Sequence, residues 1–460
     1  IYTARVDDKW ALWLCKVRDR STSNIMPLQG SAVVHFSKDG KNAFLMQNGK
    51  LAKVELGGAL KGGGKASSKP IAFAAEMEIH GPAERDYIFE HAWRQVKRKF
   101  YDEDLHGVDW DAMKENYAAF LPTINNNYDF AELLSEMLGE LNASHTGARY
   151  RPQRPDADST AAFGLLYDVE YDGVGLKVAE VIDRGPCDAA DCKIKPGTVI
   201  THINGTELTE DVNPWKLLNR LTDKPVRLTL KGDEEWEEVV RPISAGAETN
   251  LLYERWIANC RKMCEELSDG RIGYVHVRGM NDGSFRRVYS EVLGTNNEKE
   301  ALIVDTRFNG GGWLHEDLAT FLSGKTYCQF APRGHEDGGL GGEPINKWTK
   351  PVVVLQSESN YSDAHFFPWA FKEKGVGKLV GSAVPGTATA VWWERQINPA
   401  LVFGIPQVGM VTNDGKYLEN NQLEPDVKVL NDPPAVAVGK DPQMEKAVEV
   451  LLKDLGAASR

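Results

Sequence analysis

Three separated stretches of this chain carry residues that could do covalent chemistry. In the first, an apolar run, Val352, Val353, Val354 and Leu355, ends in a polar turn and passes into Tyr361-Ser362-Asp363-Ala364-His365 and an aromatic segment at helical spacing. That pattern reads as a buried strand, a tight turn and a helix. Ser362 therefore stands at a helix N-terminus, where the dipole and free backbone N–H groups favour developing negative charge. Alone, Ser362-Asp363 reads as an ordinary helix cap. The second stretch is Leu141-Asn142-Ala143-Ser144-His145-Thr146-Gly147, which puts an imidazole just after a helix. By itself His145 fits a helix C-terminal cation or a surface residue. In the third, the strand Ala301-Leu302-Ile303-Val304-Asp305 leads into Thr306-Arg307-Phe308-Asn309-Gly310-Gly311-Gly312. Glycines there permit positive φ and close backbone approach, while the Lys-Ser/Thr of a phosphate loop is missing. We read the run as an oxyanion cradle, able to share one rim with the Ser362 turn because open α/β sheets bind ligands at their strands' carboxyl ends.

The elements that must position these residues imply a multidomain α/β chain. At 460 residues, length suggests about three domains. A hydrophobic content of 42% with 26% charged residues is that of a globular protein. The net charge of -12, with Lys and Arg dispersed, argues against nucleic-acid binding. No apolar run is long enough for a membrane span, and the N-terminus is not a signal sequence. The missing initiator Met suggests a fragment or a processed chain, which leaves the compartment open. The six cysteines fit no zinc spacing and read as buried free thiols, so neither metal nor cofactor is expected.

Residues 1–57 alternate apolar and polar positions between turns at Asp39-Gly40 and Asn48-Gly49. They predict about one four-stranded antiparallel sheet, a propeller-blade remnant or a capping sheet. The glycine- and serine-rich residues 58–81 read as a flexible linker. Residues 82–157 take a helical period and form a helical subdomain carrying His145. Residues 158–243 are a β-rich module that resembles a PDZ domain, whose Phe163-Gly164-Leu165 loop would offer N–H groups to a peptide's C-terminal carboxylate. The alternative is a β-sandwich without a ligand. Residues 244–435 alternate strand and helix, giving an α/β subdomain on a mostly parallel sheet, and residues 436–460 add a C-terminal helix.

Taken in order, Ala143-Ser144-His145-Thr146-Gly147, the PDZ-like module, the Asp305 to Gly312 run, Tyr361-Ser362-Asp363 and Leu418-Glu419-Asn420 resemble the tricorn-type serine peptidases, which belong with the C-terminal-processing peptidases. The resemblance covers about residues 75 to 430. It implies that Ser362 is the nucleophile, His145 the general base, and Ser144 the hydroxyl linking the imidazole to Glu419. It implies an oxyanion hole from the N–H groups of Asp363 and of Gly310 or Gly311, a peptide or unfolded-protein substrate, a homo-oligomer and a cytoplasmic setting. Where family members follow Ser-Asp with Gly and an acidic residue, this chain has Ala364-His365; His365 is an alternative base, although helical spacing puts it on the solvent face. The Ser-Lys dyad of the same clan has only Lys378 as a candidate. Glu336 and Asp337, between the cradle and the nucleophile, either select a basic side chain before the cut or belong to a solvated loop. Two other readings are a catalytically silent peptide-binding protein and an acyl-hydrolase of small esters.

Overall fold

The computed structural model describes residues 1–62, 64–74, 76, 78–330 and 342–458. They divide into two compact units, Ile1–His80 and Gly81–Arg460.

The first unit holds two antiparallel sheets where the sequence predicts one. Tyr2–Val6, Lys9–Lys16 and Ser21–Leu28 form a three-stranded sheet; Val33–Phe36, Asn42–Gln47, Lys50–Glu55 and Ser67–Ile71 form a four-stranded one. The last strand, with the short helix Gly57–Gly62, occupies the stretch expected to be a linker. Its Pro70 is tolerated because the strand lies at a sheet edge. Leu12, Leu14 and Ile25 from one sheet and Ala43, Leu45 and Val54 from the other form one buried core.

In the second unit, Ile272–His276, Ala301–Asp305, Val352–Gln356, Lys378–Gly381 and Val427–Lys428 form a five-stranded sheet, parallel throughout. The first three strands are buried along their whole length, as strands covered on both faces must be. Alternation sends Leu302 and Val304 into the core beneath helices Asp282–Leu293, His315–Leu322 and Asp363–Glu373. Ala301 and Ile303 enter the opposite core, against Ala245–Leu267 and Pro442–Ala458.

The expected helical subdomain is not separate from the α/β subdomain. Helices Gly81–Lys99, Trp110–Ala118 and Asn127–Gly139 bury Phe89, Val96, Phe130 and Leu134 against Leu401, Phe403 and Ile405. Strand Gly147–Tyr150 then pairs with Leu401–Gly409, which pairs with Thr389–Arg395. That three-stranded antiparallel sheet, separate from the parallel one, holds the chain that follows His145. Between the two lies a β-rich module, Leu165–Tyr167, Leu176–Val181, Val199–Ile203, Val226–Lys231 and Glu235–Val240 in spatial order, with Thr206–Glu207 beside Val199–Ile203. Within it, Pro214–Leu218 forms a short 3-10 turn.

Candidate active site

Ser362 occupies the turn between strand Val352–Gln356 and helix Asp363–Glu373, with φ 58° and ψ -125°. Such a conformation costs about 1–3 kcal/mol for a residue with a Cβ and persists only where neighbours over-determine it. Here the Ser362 N–H donates to Thr387 Oγ1 at 2.9 Å and the Tyr361 N–H to the Asn309 carbonyl at 3.0 Å. Gly311 packs beneath: a Cβ there would stand 2.6 Å from Ser362 Cβ and 2.7 Å from the Tyr361 carbonyl oxygen. The Ser362 hydroxyl makes no capping hydrogen bond, which removes the simple reading of Ser362 as a side-chain helix cap.

His145 is held at three points. Its N–H donates to the Tyr361 hydroxyl at 2.8 Å, and its Nδ1 lies 2.7 Å from Ser144 Oγ and 3.0 Å from Thr389 Oγ1. Ser144 Oγ donates onward to Glu419 Oε2 at 3.0 Å, while the Ser144 N–H reaches Glu419 Oε1 at 2.5 Å. The Ala388 N–H donates to Glu419 Oε2 at 2.6 Å. Burial pushes the His145 imidazole down to about 4, so it is neutral at pH 7. Burial also raises Glu419 above its ordinary value, against the opposing pull of its hydrogen bonds to Ser144 and Ala388. His145, Ser362, Asp363 and Gly312 line one cavity of about 230 Å³. No hydrogen bond joins Ser362 Oγ to His145; such contacts are often long before substrate closes the site.

The glycine cradle differs in detail from expectation. The Gly311 N–H donates to Asn309 Oδ1 at 2.8 Å, so that amide is committed within its own loop. The N–H groups of Gly310, Gly312 and Asp363 are without partners among the described residues. The loop is anchored from below by Arg307, buried with Asp305 and Asp441: its Nη2 meets Asp305 at 2.7 Å and its Nη1 meets Asp441 at 2.9 Å. Removing one partner of a buried pair like this costs about 3–5 kcal/mol. The Asp363 carboxylate turns to the next helix, accepting from Leu314 N–H at 2.5 Å and His315 N–H at 3.1 Å, with His315 Nδ1 at 2.5 Å.

Other candidates fall away from this cavity. Phe163 and Leu165 are buried in the core of the β-rich module, and the Gly164 N–H donates to Glu248 Oε1 at 3.0 Å. That amide, expected to await a peptide carboxylate, already has one from its own chain. Lys378 pairs with Asp454 at 2.8 Å on the outside of the sheet. His365, expected on the solvent face, is 1% exposed, because that side of its helix packs towards Thr387, whose N–H donates to His365 Nδ1 at 3.3 Å. Glu336 and Asp337 lie outside the described residues. Sequence reasoning assigned no role to Tyr361, Thr387 or Thr389. Its one available signal was the Thr-x-Thr alternation, which sends two hydroxyls to the same side of an extended segment. All six cysteines are free thiols, but against expectation only Cys187, Cys260 and Cys264 are buried, while Cys15 and Cys328 are exposed. Among the described residues no His/Cys/Asp/Glu group could hold a metal, and no helix is long and apolar enough to cross a membrane.

Comparison with known proteins gives this geometry a class. Residues 271–429 match the model of Peptidase family S41. Residues 82–139 match the Tricorn protease C1 domain. The chain is 28% identical over 445 residues to Tricorn protease homolog 1 of Streptomyces coelicolor, covering 93% of this chain and 41% of the relative. It is 25% identical over 383 residues to the Tricorn protease of Thermoplasma acidophilum, covering 80% and 35%. The crystal structure of the tricorn protease superposes with a TM-score of 0.80 at 22% identity, over 97% of this chain and 43% of that one. The chain is thus similar in sequence and fold to tricorn-type proteins, and it spans less than half the length of these relatives.

Proposed function

We propose that this chain hydrolyses peptide bonds in peptides or unfolded polypeptides through a Ser-His-Ser-Glu tetrad. Ser362 Oγ attacks the scissile carbonyl carbon while His145 Nε2 takes its proton; the same imidazole then protonates the departing amine, leaving an acyl-enzyme for water to open. Ser144, backed by Glu419, receives the Nδ1–H bond and so keeps Nε2 free to act as base. The Asp363 N–H, with that of Gly310 or Gly312, receives the tetrahedral oxyanion. The observation that carries this reading is the hydrogen-bonded line from Glu419 through Ser144 to His145, ending on the cavity that Ser362 also lines.

The cavity favours an apolar side chain before the cut. Trp313, Phe366, Ala388, Ala390, Val391 and Met410 line it, and Asp363, the one carboxylate among the described lining residues, is engaged at Leu314 and His315. A basic side chain would lose its hydration there without a partner. A homo-oligomer, implied by the resemblance, belongs to the same proposal. Labelling by a fluorophosphonate, followed by hydrolysis of matched peptides with Leu, Met or Lys before the bond, tests the reading. We expect labelling that disappears in Ser362→Ala, with Leu and Met peptides cut in preference to Lys. Folded wild-type protein that takes no label and cuts nothing favours the silent peptide-binding protein; turnover of esters alone favours the acyl-hydrolase.

A further inference from the structure

One buried segment, residues 387–389, touches each part of the proposed machinery. Thr387 Oγ1 accepts the Ser362 N–H at 2.9 Å, the Ala388 N–H donates to Glu419 Oε2 at 2.6 Å, and Thr389 Oγ1 lies 3.0 Å from His145 Nδ1 and 3.1 Å from Ser144 Oγ. Thr387 and Thr389 stand two residues apart, Thr389 opening the strand Thr389–Arg395 and Thr387 lying just before it. A fixed spacing between the nucleophile's backbone and the base's ring is therefore written into one stretch of chain.

Thr387 is itself seated from behind. Its N–H donates to Nδ1 of the buried His365 at 3.3 Å. Burial pushes His365 down to about 4, so at neutral pH the ring is uncharged and its Nδ1 can accept, with the proton on Nε2. Among the described residues no other side chain bonds the Ser362 N–H, and the Ser362 side chain offers no cap of its own. The positive-φ turn that presents the alcohol thus depends on a hydroxyl acceptor 25 residues away in sequence.

We propose that Thr387 is a positioning residue for the nucleophile: its hydroxyl, seated by His365, fixes the Ser362 turn, while Thr389, two residues on, fixes the imidazole. The inference rests on the assignment of Ser362 as nucleophile, and the experiment separates the two. Thr387→Val removes the acceptor and keeps the branched shape; Thr387→Ser keeps the acceptor. Displacement of a reacting group by about 1 Å can cost about 100-fold in rate. We therefore expect T387V to lower kcat and the fluorophosphonate labelling rate by about that factor with KM little changed, and T387S to retain most of both.

Equal labelling rates for T387V and wild type overturn the inference. So does T387S falling as far as T387V, since the methyl group and not the hydroxyl would then matter. If the valine variant does not fold, His365→Asn, whose Oδ1 can replace the Nδ1 acceptor, is set against His365→Leu; kcat preserved in Asn and reduced in Leu is the expected result, and equal kcat in both overturns it. Absence of Ser362-dependent labelling in the wild type removes the nucleophile assignment and this inference with it, whereas normal wild-type labelling with an indifferent T387V removes only the inference.

Discussion

Two turns of this molecule were expected to present backbone N–H groups to negative oxygen, and they do so in opposite ways. Gly164, with φ 71°, gives its N–H to Glu248, a residue in the first turn of helix Ala245–Leu267. Its neighbours Phe163 and Leu165 are core residues, and a Cβ at Gly164 would stand 2.9 Å from Pro186 Cδ. At Ser362, with φ 58°, the following Asp363 N–H has no described partner and its residue lines the cavity. The first turn is a closed joint, satisfied as soon as the chain folds. In the proposed mechanism the second keeps its donor open for charge that arises only during reaction, which is where fixed dipoles lower a barrier. Backbone conformation alone does not distinguish a binding amide from a structural one; the neighbour already in place does.

The comparison is broken most forcefully at Gly311. Gly311→Ala places a Cβ 2.6 Å from Ser362 Cβ at a φ of 94°, so the open turn must shift. Peptide turnover is expected to fall by at least about 100- to 1000-fold, the usual loss when an oxyanion donor is misplaced, with the fold retained by circular dichroism. A G311A enzyme of normal kcat would mean that the turn is not the site of chemistry.

A pH profile sharpens the same contrast. Because burial lowers His145 from 6.5 to about 4, the imidazole keeps its basic form as pH falls through 6.5 and gains a proton only near 4. The acid limb of kcat/KM, which reports the free enzyme, should therefore lie well below 6.5 and drop about tenfold per pH unit beneath its midpoint. A midpoint at 6.5 or above would mean that His145 is solvated, or is not the base.

The smallest effect is expected at the closed joint. Glu248→Ala in a Ser362→Ala background frees the Gly164 N–H, and a peptide with a free C-terminal carboxylate should then bind measurably more tightly than its amidated form, by fluorescence anisotropy. A hydrogen bond to a charged group is worth about 1.5–3 kcal/mol, so about tenfold or more in affinity is at stake. Equal binding by the free and amidated forms would show that this turn has no latent carboxylate site. Tight carboxylate-dependent binding with Glu248 intact would show that the joint is not closed.

Much of the α/β layer was legible in the sequence. The apolar run 352–355 before a polar turn, and the glycine run after Asp305, carry their meaning locally, through strand period and through the backbone freedom of glycine. The parallel sheet followed from strand–helix alternation. His365 was misplaced because helical spacing fixes which residues share a side but not what that side packs against. The residues 58–81 were misjudged because composition cannot show that Ser67–Ile71 will find the edge of Lys50–Glu55.

By itself, then, the sequence determined where a serine, an imidazole and a glycine run would each sit within its own element, because those features depend on residues within a few positions. Only the tertiary structure decided that Ser144 meets Glu419 across 275 residues, that Gly147–Tyr150 pairs with Leu401–Gly409, and that Thr387 grips Ser362. Those distances are set by sheet register and by the burial of helices against a shared core, and no local pattern encodes either.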